Sequence, residues 1–180
     1  SLVEPTRLVC LCVAGNNLGP SAGEMIPRMA WLQRLDMSLN WLRDEGAGVL
    51  STAFLAASPM RLTNLSLARN GIGAKGAEAV AGAMASGAMP HLEMLDLNMN
   101  WIGPQGAVAL AATLPLLTRL GCVCVSENEL RAEGARALGV ILGGCLALKK
   151  LDLSHNNIES AGALALLAEL PPKLEFLDLS

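Results

Sequence analysis

The sequence predicts an α/β repeat protein in which short parallel strands alternate with crossover helices, and three observations carry that expectation. One phrase, leucine-x-x-leucine-x-leucine-x-x-asparagine-x-aliphatic, starts at Leu8, Leu32, Leu62, Leu92, Leu120 and Leu148, and a seventh copy begins at Leu174. Successive starts lie 24 to 30 residues apart, which leaves room for a helix between strands. Between the phrases stands a glycine-alanine pair: Gly46-Ala47, Gly76-Ala77, Gly106-Ala107, Gly134-Ala135 and Gly162-Ala163.

Each part of the phrase has a physical reading. In Leu148–Ile158, Leu151 and Leu153 alternate with Asp152 and Ser154, the period of a strand buried on one face. Such a strand is too short to stand alone, so copies pair side by side, and parallel neighbours need a crossover of about a dozen residues or more. After each glycine-alanine pair an aliphatic residue follows four positions from the glycine (Leu50, Val80, Leu110, Leu138, Leu166), the spacing of a helix with one apolar stripe. Small residues at the helix starts permit close packing of neighbouring helices. The first crossover departs from the pattern: Pro27 stands where the others have Leu or Val, so a truncated or irregular helix is expected between Gly23 and Ala30.

The repeated asparagines (Asn16, Asn40, Asn70, Asn100, Asn128, Asn156) have a separate cause. Where each strand ends and the chain turns inward, backbone N–H and C=O groups leave water. An amide side chain supplies both donors and an acceptor, so it can serve its own turn and the adjacent one. A continuous ladder of stacked asparagines is expected.

Composition narrows the function classes. The chain has 180 residues, 52% hydrophobic and 16% charged, with a net charge of −3 and no tyrosine. That balance gives no electrostatic case for nucleic acid or a membrane surface. The uncharged run from Leu97 to Thr118 is broken by Asn, Gln, Gly and Pro, and the repeat explains its apolar positions, so it is not read as a membrane span. Five cysteines include two pairs spaced by one residue, Cys10/Cys12 and Cys122/Cys124. Without a CxxC spacing or a nearby histidine they read as free thiols in a reducing compartment, so no metal or cofactor and a cytoplasmic location are expected. His91 and His155 sit in different copies with no recurring nucleophile beside them, and no phosphate-cradling glycine loop occurs. No enzymatic activity is expected.

The phrase LxxLxLxxNxIGxxGAxAL, closely matched by residues 62–82 (LTNLSLARNGIGAKGAEAVAG), resembles the leucine-rich repeats of the ribonuclease-inhibitor subfamily. The resemblance covers about residues 7–180. It implies a curved solenoid, a horseshoe with parallel strands on the concave face and helices on the convex face. It leaves the partner open, because members such as ribonuclease inhibitor, NOD-like receptors and the Ran GTPase-activating protein bind unrelated targets. One array spanning 1–180 is expected, with six full repeats from about Leu8 and a truncated seventh at Leu174. Ending at LEFLDLS, halfway through a copy, it is expected to be a segment of a longer protein or to have its ends buried by neighbouring domains or subunits.

The expected function is protein–protein interaction through the concave face and adjoining loop edge, with regulation of an enzyme such as a small GTPase, or a structural role in a large assembly, as alternatives. On the floor, an acidic column contains Asp36, Asp96 and Asp152, followed by a small polar column that includes Asn98. A rim column preceding each phrase holds Arg7, Trp31, Arg61, His91, Arg119 and Lys173, a basic edge to which Lys149 and Lys150 add. The residues after the asparagines include Trp41 and Trp101, with Leu39 and Met99 two positions earlier, which together suggest a hydrophobic anchor. The candidate partner-binding set is therefore Arg34, Asp36, Leu39 and Trp41 in the second copy, Asp96, Asn98, Met99 and Trp101 in the fourth, and Lys150, Asp152 and His155 in the sixth.

Overall fold

A computed structural model describes residues 7–28 and 31–180. Seven three-residue strands form one parallel sheet in sequence order: β1 (Cys10–Cys12), β2 (Arg34–Asp36), β3 (Asn64–Ser66), β4 (Met94–Asp96), β5 (Cys122–Cys124), β6 (Lys150–Asp152) and β7 (Phe176–Asp178). Register never slips. Leu11, Leu35, Leu65, Leu95, Val123, Leu151 and Leu177 align across the whole sheet. A one-residue slip would turn this buried row outward, so the alternating pattern alone enforces the alignment.

Behind the sheet lie α1 (Arg43–Ala56), α2 (Ala74–Ala85), α3 (Gly103–Thr113), α4 (Arg131–Leu142) and α5 (Glu159–Ala168). Each begins two or three residues before its glycine-alanine pair, so the pair lies in the first turn. There it meets the preceding helix: a Cβ on Gly106 would stand 3.1 Å from the Ala77 Cβ and 3.3 Å from the Ala74 Cα. Close approach is thus the reason for glycine at this position. Helices still need about 8–10 Å between axes, whereas paired strands need about 4.8 Å. Stacking the two at equal count bends the array toward the strand side.

The aliphatic row predicted from the helical spacing, Leu50, Val80, Leu110, Leu138 and Leu166, is buried against the strand leucines. Burying each such side chain contributes about 1.5–3 kcal/mol. The core is almost purely aliphatic, with Phe54 of α1 its one large aromatic among the described residues. Neighbouring copies are also tied through polar groups. The Asp44 carboxylate, in the first turn of α1, accepts the backbone N–H groups of Gly73 (2.6 Å) and Gly76 (2.9 Å) at the start of α2. It supplies a cap that α2 lacks from its own side chains.

The first crossover carries a 3-10 helix, Pro20–Arg28, in place of an α-helix. It starts earlier than the sequence suggested, and residues 29 and 30 lie outside the described residues. Its crossover is the shortest, and it packs directly on α1. A Cβ on Gly23 would stand 2.7 Å from the Leu50 amide nitrogen.

Candidate functional site

The site is built on the turns that leave the strands, and the buried asparagines shape those turns. The Asn100 side-chain oxygen accepts the N–H groups of Asn70 and Ile72, each at 3.0 Å. Its amide group donates to the carbonyls of Leu67 (3.0 Å), Leu97 (2.9 Å) and Asn98 (3.3 Å). Asn40, Asn70 and Asn156 do the same one copy along, while the Asn128 oxygen accepts the Ile102 N–H (3.3 Å) but not that of Asn100, and its amide group still donates to Leu97, Val125 and Ser126.

Fixing an asparagine inward dictates what its neighbours do. The residues before and after it adopt left-handed backbone conformations: Leu39, Trp41, Arg69, Gly71, Met99, Glu127, Glu129, His155 and Asn157 all have φ between 52° and 65°. For non-glycine residues that conformation costs roughly 1–2 kcal/mol each, repaid by the ladder. It also makes the chain alternate inward and outward about each asparagine. Two outward columns result, one on each side of the ladder, along the edge of the sheet. Trp101 alone of the tryptophan-bearing turn positions keeps an ordinary φ, and its N–H donates instead to the Ile72 carbonyl at 2.8 Å.

Trp41 is 57% exposed and Trp101 66% exposed. The Trp101 ring leans over the preceding copy, where a Cβ on Gly71 would meet Cζ3 at 3.5 Å. Arg69, also of that copy, sets its Nε against the Met99 sulfur. On the following side opens a concavity of about 610 Å³ lined by Met99, Asn100, Trp101, Glu127, Glu129 and His155. Three residues of the candidate set, Met99, Trp101 and His155, thus meet in one groove.

The other candidates are arranged differently. They come from the second, fourth and sixth copies, so intervening copies separate them. Arg34 opens β2 and Lys150 opens β6, four strand spacings or about 19 Å apart. Trp41 and Leu39 stand about two spacings from Trp101 and line no part of the groove. Asp36, Asp96 and Asp152 lie on the floor, where each closes its own strand end. The Asp152 carboxylate accepts the Ser154 N–H (3.1 Å) and hydroxyl (2.7 Å), and Asp36 holds Ser38 likewise. Asp96 accepts the Asn98 N–H at 3.1 Å, and Asn98 in turn accepts the Ser126 N–H at 2.7 Å. Asp178 repeats this arrangement: hydrogen bonds from Ser180 hold its carboxyl below the usual range, with His155 and Lys150 adding to the effect. The LDLS wording therefore has a turn-closing purpose.

The basic rim is partly spent internally. The Arg61 guanidinium stacks over the Trp31 ring, 4.2 Å from its centre, and Lys150 lies 5.0 Å from the centre of the Phe176 ring. The groove's acidic wall, Glu127 and Glu129, was not among the candidates. The signal was present: these residues flank Asn128 as Met99 and Trp101 flank Asn100, and reading both outward columns together would have found them.

The cysteines are free thiols, with the Cys122 and Cys124 sulfurs 3.8 Å apart on the floor. Burial above all, then the neighbouring Cys122, pushes the Cys124 thiol up to about 12. Burial alone pushes Cys145 up to about 11. Among the described residues no group of three or more His, Cys, Asp or Glu is placed to hold a metal ion, and no helix is long and apolar enough to cross a membrane.

The stacked sheet, the buried asparagines and the crossover helices define a leucine-rich repeat solenoid. The family described as Leucine Rich repeat matches residues 28–51, 60–81, 88–111 and 144–167, together more than half of the sequence, and the chain belongs to it. No curated protein sequence matches the chain. Among solved structures it is similar to the tropomodulin C-terminal domain from the structural genomics of Caenorhabditis elegans. The TM-score is 0.60 at 13% identity, over 93% of this chain and 84% of that one. At that identity the likeness concerns the fold. Leucine-rich repeats generally serve protein–protein interaction, so protein partners are the class of ligand the family indicates.

Proposed function

We propose that this chain is a non-enzymatic protein-binding module that recognises its partner through the concave strand face and the adjoining loop edge. The observation that carries this reading is the exposure of Trp41 and Trp101 on turns whose backbone is fixed by the buried ladder. An exposed tryptophan on rigid backbone offers a large contact area at little ordering cost, the usual make-up of an interface anchor. The helix in each crossover and the 28–30-residue spacing of the central copies support placing it among ribonuclease-inhibitor-type repeats. Free thiols at five positions support a reducing, cytoplasmic setting.

The experiment is affinity capture from a native lysate with the wild-type chain and with a Trp41→Ala/Trp101→Ala double variant. Loss of the captured proteins from the variant supports the loop edge as the binding site. Capture that is unchanged by the double substitution removes it.

A further inference from the structure

We infer that the groove beside Trp101 is a subsite for a cationic side chain, and that the partner segment it seats is a basic peptide stretch presenting an arginine. This deepens the protein-binding reading above and rests on it. The fourth copy lines it with Met99 and Trp101, and the fifth with Glu127 and Glu129. Left-handed φ values of 52° and 53° on either side of the buried Asn128 turn both glutamates outward together.

Neither carboxylate accepts a hydrogen bond among the described residues. Glu129 has only an exposed pairing with Arg131 at 3.7 Å, and solvent competes effectively with such a contact. Among the described residues no lysine or arginine lines the groove and His155 is its one imidazole, while Arg69 sets its Nε against the Met99 sulfur. The floor beneath the same copies continues the negative charge through Asp96 and Asp152.

An exposed indole that shares a groove with two carboxylates matches the guanidinium group. The plane stacks on the ring while its N–H fork meets the carboxylates. Lysine could satisfy the charge but not the stack and the fork together. An acidic segment would meet like charges, and an apolar segment would strip water from two carboxylates and give nothing in return. The chain already uses this chemistry on itself, for Trp31 holds the Arg61 guanidinium. Trp101 has no such cation among the described residues. A volume of about 610 Å³ exceeds one side chain, so residues flanking the arginine enter as well.

The test is titration of the isotopically labelled chain with a short acetylated arginine-rich peptide, followed at the indole N–H of Trp101. Matched peptides carry citrulline, glutamate or leucine in place of arginine. A saturable shift at Trp101 that weakens at least about tenfold with citrulline and with Glu127→Gln/Glu129→Gln, but not with Val140→Ala on the exposed face of α4, supports the subsite. No saturable shift, equal binding of the citrulline, glutamate or leucine peptide, or indifference to the glutamate substitutions overturns it. Lysate capture separates the two levels. Capture that needs Trp101 yet ignores Glu127→Gln/Glu129→Gln leaves the protein-binding reading standing and removes the cationic subsite.

Discussion

The side-chain oxygen of Asn100 accepts the backbone N–H of Asn70, the corresponding residue one copy earlier, at 3.0 Å. Both residues are buried, so the bond joins two turns where water cannot replace it. Asn100→Ala leaves the N–H groups of Asn70 and Ile72 and the carbonyl of Leu97 with fewer partners. An expected loss of about 1–3 kcal/mol follows from the desolvation of those groups. Asn16, at the start of the ladder, is exposed, and its side chain donates only to the nearby carbonyls of Val13 and Ala14. Asn16→Ala should cost well under 1 kcal/mol. Urea unfolding of both variants measures the difference, and equal losses would contradict the ladder as a source of stability.

The backbone separates the two anchor tryptophans. Trp41 has φ 56°, whereas Trp101 lies outside the left-handed region. Relief of that conformation makes glycine better than alanine at the first position by about 1 kcal/mol. The order should reverse at the second, where glycine only adds freedom to the unfolded chain. Thermal unfolding of Trp41→Gly, Trp41→Ala, Trp101→Gly and Trp101→Ala tests this directly. The practical consequence is that Trp41→Gly removes a contact residue without loss of stability.

Helix packing predicts opposite signs for two glycine-to-alanine substitutions. A methyl group at Gly106 would meet Ile102 Cγ2 at 2.5 Å and the preceding helix at Ala77. Gly106→Ala should therefore destabilise by about 1–3 kcal/mol. At Gly82, inside α2, a Cβ meets nothing within 4 Å. Gly82→Ala should stabilise by about 0.5–1 kcal/mol through helix propensity alone. Denaturant midpoints read both.

These cases mark what was legible in the residues themselves. Period-two leucines, helical spacing after Gly-Ala, and an amide at every strand end each admit one explanation, and stacking multiplies each signal by the number of copies. The site is a different matter. Trp101 was visible as an outlier in its column, but its groove is made by two columns from three successive copies. Glu127 and Glu129 look like ordinary solvated acids until the left-handed turns set them in the same groove as Trp101. Asp36, Asp96 and Asp152 have a second reason to recur, the turn that each closes. Spacing along the chain encodes the scaffold. Which outward side chains face one another depends on the backbone turn, and a linear pattern does not state it.

The thiols give a prediction in which pH decides the outcome. Cys124 is raised from 9.0 to about 12, and Cys145 from 9.0 to about 11. At pH 8 the thiolate fraction of Cys124 is then roughly 10³-fold below that of an ordinary thiol. Exposed Cys10 should react first with iodoacetamide and Cys124 and Cys145 last, as peptide mapping by mass spectrometry would reveal. The stability consequence has a definite sign. Folding favours the protonated form of both groups, so their contribution is fully present below about pH 9 and is lost as pH rises through the folded values. With no tyrosine in the chain, tyrosinate formation does not obscure that window. The melting temperature should fall between pH 9 and 12, and Cys124→Ala/Cys145→Ala should flatten the fall relative to wild type. Parallel curves for the two proteins would show that these thiols do not govern the alkaline limit.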